Sequence, residues 1–236
     1  MRTLIDKANI SRSFWNDKAR ENPYWYVSSY GAYDSVRNLE EFWASGARIW
    51  DDLKTATGYQ PGITDQIVEI GCGVGRLTRW IAREAGSVQA FDISGEMLKI
   101  AAEADLPNVT FRLAEGFNLK PLNDGCADLA LGYCVFQHLP SVGALQSYIR
   151  EMIRVTKKGG LIAFTLTMRN WQYYLLPLLR IRAYLRQRIS EKGPKGVFRR
   201  AWTGIRPSQA TVLKITPIPL ECVTIHRDKW LFFGKC

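Results

Sequence analysis

The chain has 236 residues, 47% of them hydrophobic and 23% charged, enough to bury the core of one large α/β domain with a small appendage. It contains no run of about 18 apolar residues, so no conventional spanning helix, and its charged start, MRTLIDKANISRSFWNDK, lacks the apolar stretch of a secretory signal. The net charge of +10 is concentrated: residues 1–168 carry 18 basic and 19 acidic side chains, whereas 169–200 carry nine basic residues against Glu191 alone. Five scattered cysteines form no CxxC pair or Cys/His metal spacing, so the expectation is reduced thiols, a cytoplasmic setting and no metal.

Residues 1–60 read as helical and rich in aromatics. Pro23 pushes Asn22 out of helical geometry and interrupts them. From Leu39 onward, Phe42, Trp43, Ile49, Trp50 and Leu53 recur near a helical period. Gly58, Pro61 and Gly62 then break the chain before a first strand. Residues 65–167 alternate strand and helix, with strands expected at 65–70, 87–92, 108–115, 127–135 and 160–167 and helices near 75–85, 95–104 and 141–156. This alternation implies parallel strands with right-handed helical crossovers. Residues 169–200 carry no strand signal. There Trp171, Tyr174, Leu175, Leu178, Ile181, Leu185 and Ile189 share a helical stripe, with Arg180, Arg186 and Arg188 off it. Finally, 220–226 and 229–235 read as a hairpin turning at Arg227-Asp228, which leaves the sheet mixed.

The sharpest signal is Val68-Glu69-Ile70-Gly71-Cys72-Gly73-Val74-Gly75-Arg76-Leu77, a glycine loop that follows a strand and opens a helix. Its GxGxG spacing, with Arg76 where a dinucleotide fingerprint needs its last glycine, argues against NAD or FAD. Asp92 ends the second strand, 17 residues beyond Gly75, where an acid can accept hydrogen bonds from both hydroxyls of a ribose. Glu115, Gly116 and Phe117 end the third. Three strand ends thus converge at the carboxyl edge of the sheet, where open α/β sheets bind ligands.

Together VEIGCGVGRLT, FDIS, AEG and ADLALGYCVFQHLP resemble the motifs of the class I S-adenosylmethionine-dependent methyltransferases, over residues 65–167 and again in the terminal hairpin. The resemblance implies a Rossmann-like, doubly wound, seven-stranded and mostly parallel α/β sheet with an antiparallel last strand. An N-terminal helical lid (1–60) would precede the cofactor-binding core (61–168). A basic aromatic cap (169–212), inserted as helix after strand five, would come before the hairpin (213–236). It implies S-adenosylmethionine as cofactor. Glu69, Gly71, Gly73 and Gly75 would lie along its methionine part, with Cys72 and Cys134 also among the cofactor positions. Asp92 would hold the ribose, Ile93 and Met97 would flank the adenine, and Glu115, Gly116 and Phe117 would close around it. The family more often has Asp where Glu115 stands.

His138, one of two histidines, follows the fourth strand on the side where the methyl acceptor would lie. It is either a general base or a residue that fixes its loop. Tyr24, Trp25, Tyr26 and Tyr30 form either a lid over the sulfonium or an aromatic core. Trp171, Tyr174 and Arg180 are the acceptor candidates of the cap. The expected reaction is in-line methyl transfer to an O or N atom of a small molecule, such as a natural product, a sugar or another metabolite. The basic segment suits an anionic acceptor, or contact with an anionic membrane and a lipid acceptor. A non-catalytic binding module would require a lost cofactor site, and no nucleic-acid-reading domain accompanies the core.

Overall fold

The computed structural model describes residues 3–28, 39–167, 204–226 and 229–236. Tyr30, Trp171, Tyr174, Arg180 and the basic stretch they mark lie outside the described residues, as does the turn at 227–228. Three helices open the chain: α1 (Leu4–Glu21), α2 (Pro23–Ser28) and α3 (Leu39–Thr57). Thr3 caps α1 through a reciprocal pair of hydrogen bonds with Asp6. Asn22 ends it in a non-helical conformation (φ −167°, ψ 83°), as Pro23 dictates.

The alternating segment follows as β1 (Gln66–Ile70), α4 (Thr78–Glu84), β2 (Ser87–Asp92), α5 (Gly95–Ala102), β3 (Val109–Leu113), β4 (Ala127–Gly132), α6 (Val142–Val155) and β5 (Thr156–Thr167). The chain closes with α7 (Gln209–Ile215), β6 (Glu221–His226) and β7 (Lys229–Lys235). The seven strands form one sheet in the order β3-β2-β1-β4-β5-β7-β6. β1 to β5 pair in parallel, and β7 runs antiparallel to both β5 and β6. This is the expected mixed sheet.

Strand residues alternate between two buried faces. Val68, Ile162, Phe164 and Phe232 pack with Ile149 and Met152 of α6 on one side. Ile67, Leu129 and Leu231 pack with Trp50 and Leu53 of α3 and Ile81 of α4 on the other. α3 is therefore part of the layer that covers the sheet, whereas α1 and α2 reach across its carboxyl edge.

The boundaries differ from the sequence reading for local reasons. α4 starts at Thr78 because Gly71, Gly73 and Gly75, all at positive φ, keep the preceding residues in a loop. β4 stops at Gly132, where Phe136 folds back so closely that a Cβ at 132 would meet its ring at 3.0 Å. β5 begins at Thr156 directly after α6, with a register shift against β4 between Ala127 and Leu129. α7 has no counterpart in the sequence reading. It is two turns long, lies between prolines 207 and 217, and buries one large side chain, Val212.

α3 sits against the glycine loop so tightly that a Cβ on Gly46 would lie 2.1 Å from the carbonyl oxygen of Arg76. Gly46→Ala is expected to cost about 1–3 kcal/mol by overpacking and to lower Tm by several degrees in thermal unfolding followed by circular dichroism. Gly143→Ala, where the nearest atom would be 3.8 Å away, serves as the control that leaves Tm unchanged or higher.

Candidate active site

The parallel register brings the strand ends together. Ile70 pairs with Phe91 on one side and Gly132 on the other, and Asp92 pairs with Leu113. Beyond these residues the chains splay apart, and α1 and α2 close over the gap. The result is a cavity of about 130 Å³, roughly ten times what one ordered water needs.

Of the residues singled out from the sequence, Glu69, Gly71, Cys72, Gly73, Asp92 and Ile93 line this cavity, as do Met97, Gly116, Cys134, His138 and Tyr26. Gly75, Glu115, Phe117, Tyr24 and Trp25 are not among its lining residues. Glu115 is exposed and accepts a hydrogen bond from Asn118 Nδ2 at 2.5 Å. Phe117 turns its carbonyl to the hydroxyl of Ser147. Tyr24 packs edge-on against Phe42 and Trp43, and Trp25 against Tyr26.

Two buried carboxylates organise the cavity. Asp92 Oδ2 accepts from the Gly73 N–H and Oδ1 from the Ser94 N–H, both at 2.8 Å. Each oxygen keeps acceptor capacity for a further donor. Glu69 is 3% exposed and accepts from the Thr78 hydroxyl at 2.6 Å. Burial pushes the Glu69 carboxyl up to about 7, against the Thr78 hydrogen bond, with the Asp92 charge adding to the rise and Arg76 opposing it. Burial likewise pushes Asp92 up to about 6, against the N–H groups of Ser94, Gly73 and Ile93. Cys72 is also buried, which raises its thiol.

The glycines fit the loop for different reasons. At Gly71 a Cβ would lie 2.5 Å from Val135, and at Gly73 2.8 Å from Val27 of α2. At Gly75 the space is ordinary, and the positive φ alone calls for glycine. Arg76, 6% exposed, donates to the Val27 carbonyl and the Ser45 hydroxyl at 3.3 Å each and sits over the Phe42 ring. Its guanidinium thus ties α2 and α3 to the loop.

α1 supplies a wall that the sequence reading missed. Ala8, Ser11 and Trp15 line the cavity from one helical face, at spacings of three and four. Exposed Ile5 and Ile10 blur the apolar pattern that would have revealed this face. Asn16 Oδ1 accepts from the Ser94 hydroxyl at 2.8 Å, and Arg12 donates to the Ala114 carbonyl at 3.1 Å. Ala8 presses on Gly116, where a Cβ would come within 2.8 Å. Tyr148 of α6 is a second residue the sequence reading missed. It lines the cavity and stacks on Phe136.

His138 ends a short 3-10 turn, Phe136–His138, and its ring meets Trp15 edge to face at 5.1 Å between centroids. Cys134 adopts φ +58°, donates its N–H to Thr165 Oγ1 at 2.7 Å, and has Lys229 Nζ 2.9 Å from its sulfur.

Upward shifts at Glu69 and Asp92 mean that the folded protein keeps protons the unfolded chain has already released. That contribution to stability is full at low pH and is lost as pH rises through about 6 to 7. For ligand-free protein, Glu69→Gln should therefore flatten the fall in Tm between about pH 4.5 and pH 7.5. An unchanged slope in differential scanning calorimetry would mean that Glu69 titrates as an ordinary carboxylate.

Comparison with known proteins shows what this segment is similar to. Residues 68–164 match the family model described as "Methyltransferase domain". A malonyl-[acyl-carrier protein] O-methyltransferase of Pectobacterium atrosepticum is 31% identical over 135 residues, covering 57% of this chain and 48% of that protein. Methyltransferase GfsG of Streptomyces halstedii is 27% identical over 140 residues, with the same shares. The chain spans about half the length of these curated relatives. In fold it is similar to magnesium protoporphyrin IX methyltransferase of Synechocystis PCC 6803 with bound SAH (TM-score 0.64, 16% identity), over 97% of this chain and 98% of that one. Residues 68–164, which hold the glycine loop and the paired acids, thus match a methyltransferase domain, and the fold is similar to that of a solved methyltransferase with bound SAH.

Proposed function

We propose that the protein transfers a methyl group from S-adenosylmethionine to an oxygen or nitrogen atom of a small-molecule acceptor. The observation that carries this reading is that Glu69, Asp92 and His138 open onto one cavity at the strand ends. The donor chemistry fits the cofactor. Two buried acids with spare acceptor capacity suit a ligand that brings an ammonium group and a pair of ribose hydroxyls. When bound, S-adenosylmethionine supplies an electrophilic methyl group on a positively charged sulfur.

In this reading Asp92 takes the ribose hydroxyls while its two backbone bonds hold the loop in register. Glu69, Gly71 and Gly73 lie along the methionine part. Ile93, Met97 and Gly116 border the adenine, with Ala8 of α1 closing that end. α1 and α2 exclude water, and alignment of the reacting groups supplies about 7–11 kcal/mol of the barrier reduction. His138 faces the acceptor and takes its proton where the nucleophile carries one, worth about 10²–10⁴-fold. The Pectobacterium relative is named as an O-methyltransferase, which favours oxygen.

Incubating the protein with methyl-tritiated S-adenosylmethionine and a small-molecule extract should place label in low-mass products. Label confined to water or protein would overturn the reading. By isothermal calorimetry, Asp92→Asn should weaken S-adenosylhomocysteine binding about tenfold or more. His138→Ala should leave that affinity unchanged and, with an identified acceptor, slow turnover by about 10²-fold or more.

The nine basic residues of 169–200 support an anionic acceptor, or contact with an anionic membrane and a lipid acceptor. Replacing Arg180, Arg182, Arg186 and Arg188 with Gln separates the two. Loss of acceptor binding with normal S-adenosylhomocysteine affinity supports the first. Loss of sedimentation with anionic vesicles at full activity on a soluble acceptor supports the second.

A further inference from the structure

The described chain resumes at Gly204, and it does so against the turn that carries His138. Gly204 has φ +44°, and a Cβ there would lie 1.8 Å from the Gln137 carbonyl oxygen and 2.6 Å from His138 Cα. The next residue, Ile205, donates its N–H to that same carbonyl at 2.9 Å and packs its side chain on the core. The turn is therefore gripped from outside by a segment that only glycine lets come so close.

A second hold acts from inside. Gln137 Nε2 donates to the Cys134 carbonyl at 2.7 Å, and Cys134 in turn is pinned to Thr165 of β5. A carbonyl can only accept, so this contact fixes which end of the Gln137 amide carries the nitrogen. It does so even though Gln137 Oε1 is buried without a partner among the described residues. The same Nε2 stands 3.4 Å from His138 Nε2. A donor facing that ring nitrogen favours the neutral imidazole with its proton on Nδ1 and its lone pair on Nε2. At 3.4 Å the contact is too long to bind the lone pair firmly, so an incoming acceptor group can displace it.

We propose that Gly204 and Gln137 are positioning residues that hold the His138 turn and select one tautomer of its imidazole. The chain returning from 168–203 is thereby coupled to the acceptor side of the site. The proposal rests on the reading of His138 as the acceptor-side base, but it can be tested without knowing the acceptor.

The chain has two histidines, so His226→Gln leaves His138 as the single imidazole. Long-range proton–nitrogen NMR spectra of the nitrogen-15-labelled protein, taken above the imidazole titration, report which nitrogen carries the proton. The expected result is one neutral tautomer, protonated on Nδ1. Gly204→Ala, which must displace the turn, and Gln137→Leu, which removes the amide without touching the backbone, should each convert this to a mixture. S-adenosylhomocysteine affinity by calorimetry should stay within about twofold and unfolding should remain cooperative. A tautomer mixture in the parent, or an unaltered single tautomer in Gln137→Leu, would overturn the proposal. So would loss of S-adenosylhomocysteine binding in both variants, because the turn would then belong to the cofactor site. If the parent itself fails to bind S-adenosylhomocysteine, the proposed cofactor reading fails while the tautomer result stands independently.

Discussion

The carboxylate of Asp92 joins two strand ends by accepting one hydrogen bond from the Gly73 N–H and another from the Ser94 N–H. Most of the site depends on this tie. The first bond fixes the glycine loop after β1, and the second sets the backbone at the start of α5. Ser94 is also the N-cap of α5, and its hydroxyl reaches Asn16, so the position of α1 follows from the same corner. A charge buried this deeply is costly, and the rise of Asp92 to about 6 expresses that cost. Among the described residues, only the N–H groups of Ser94, Gly73 and Ile93 oppose that rise. Glu69, the nearest comparison, is another acid in the same predicament.

Where the sequence was legible, the physics was local. Gly71, Gly73 and Gly75 announce backbone conformations that other residues avoid, and an acid at the end of the next strand has few structural uses. The alternation of apolar runs with helical stretches fixed the sheet, because buried parallel strands and amphipathic crossovers leave distinct patterns. The antiparallel hairpin was readable for the same reason.

Where it was not legible, the decisive contacts join residues far apart in the chain. Trp15 meets His138, Ala8 meets Gly116, and Gly204 meets Gln137, and nothing in either short stretch encodes the partner. The stripe Ala8, Ser11, Trp15 was present in the sequence, but two small residues and a tryptophan do not form a conspicuous apolar face. Exposure of Ile5 and Ile10 pulled the pattern elsewhere. Likewise, Glu115 sits beside Gly116 in sequence, yet only the glycine turns inward. There the chain is already past β3, and Gly116 takes φ +96°.

Thr167, at the end of β5, and Gly204, where the chain is next described, both stand at the carboxyl edge of the sheet, the first paired with Lys229 and the second against Gln137. A stretch whose two anchor points share one rim can be exchanged, lengthened or shortened during evolution without re-threading any strand. The corner at Asp92 is built from earlier parts of the chain.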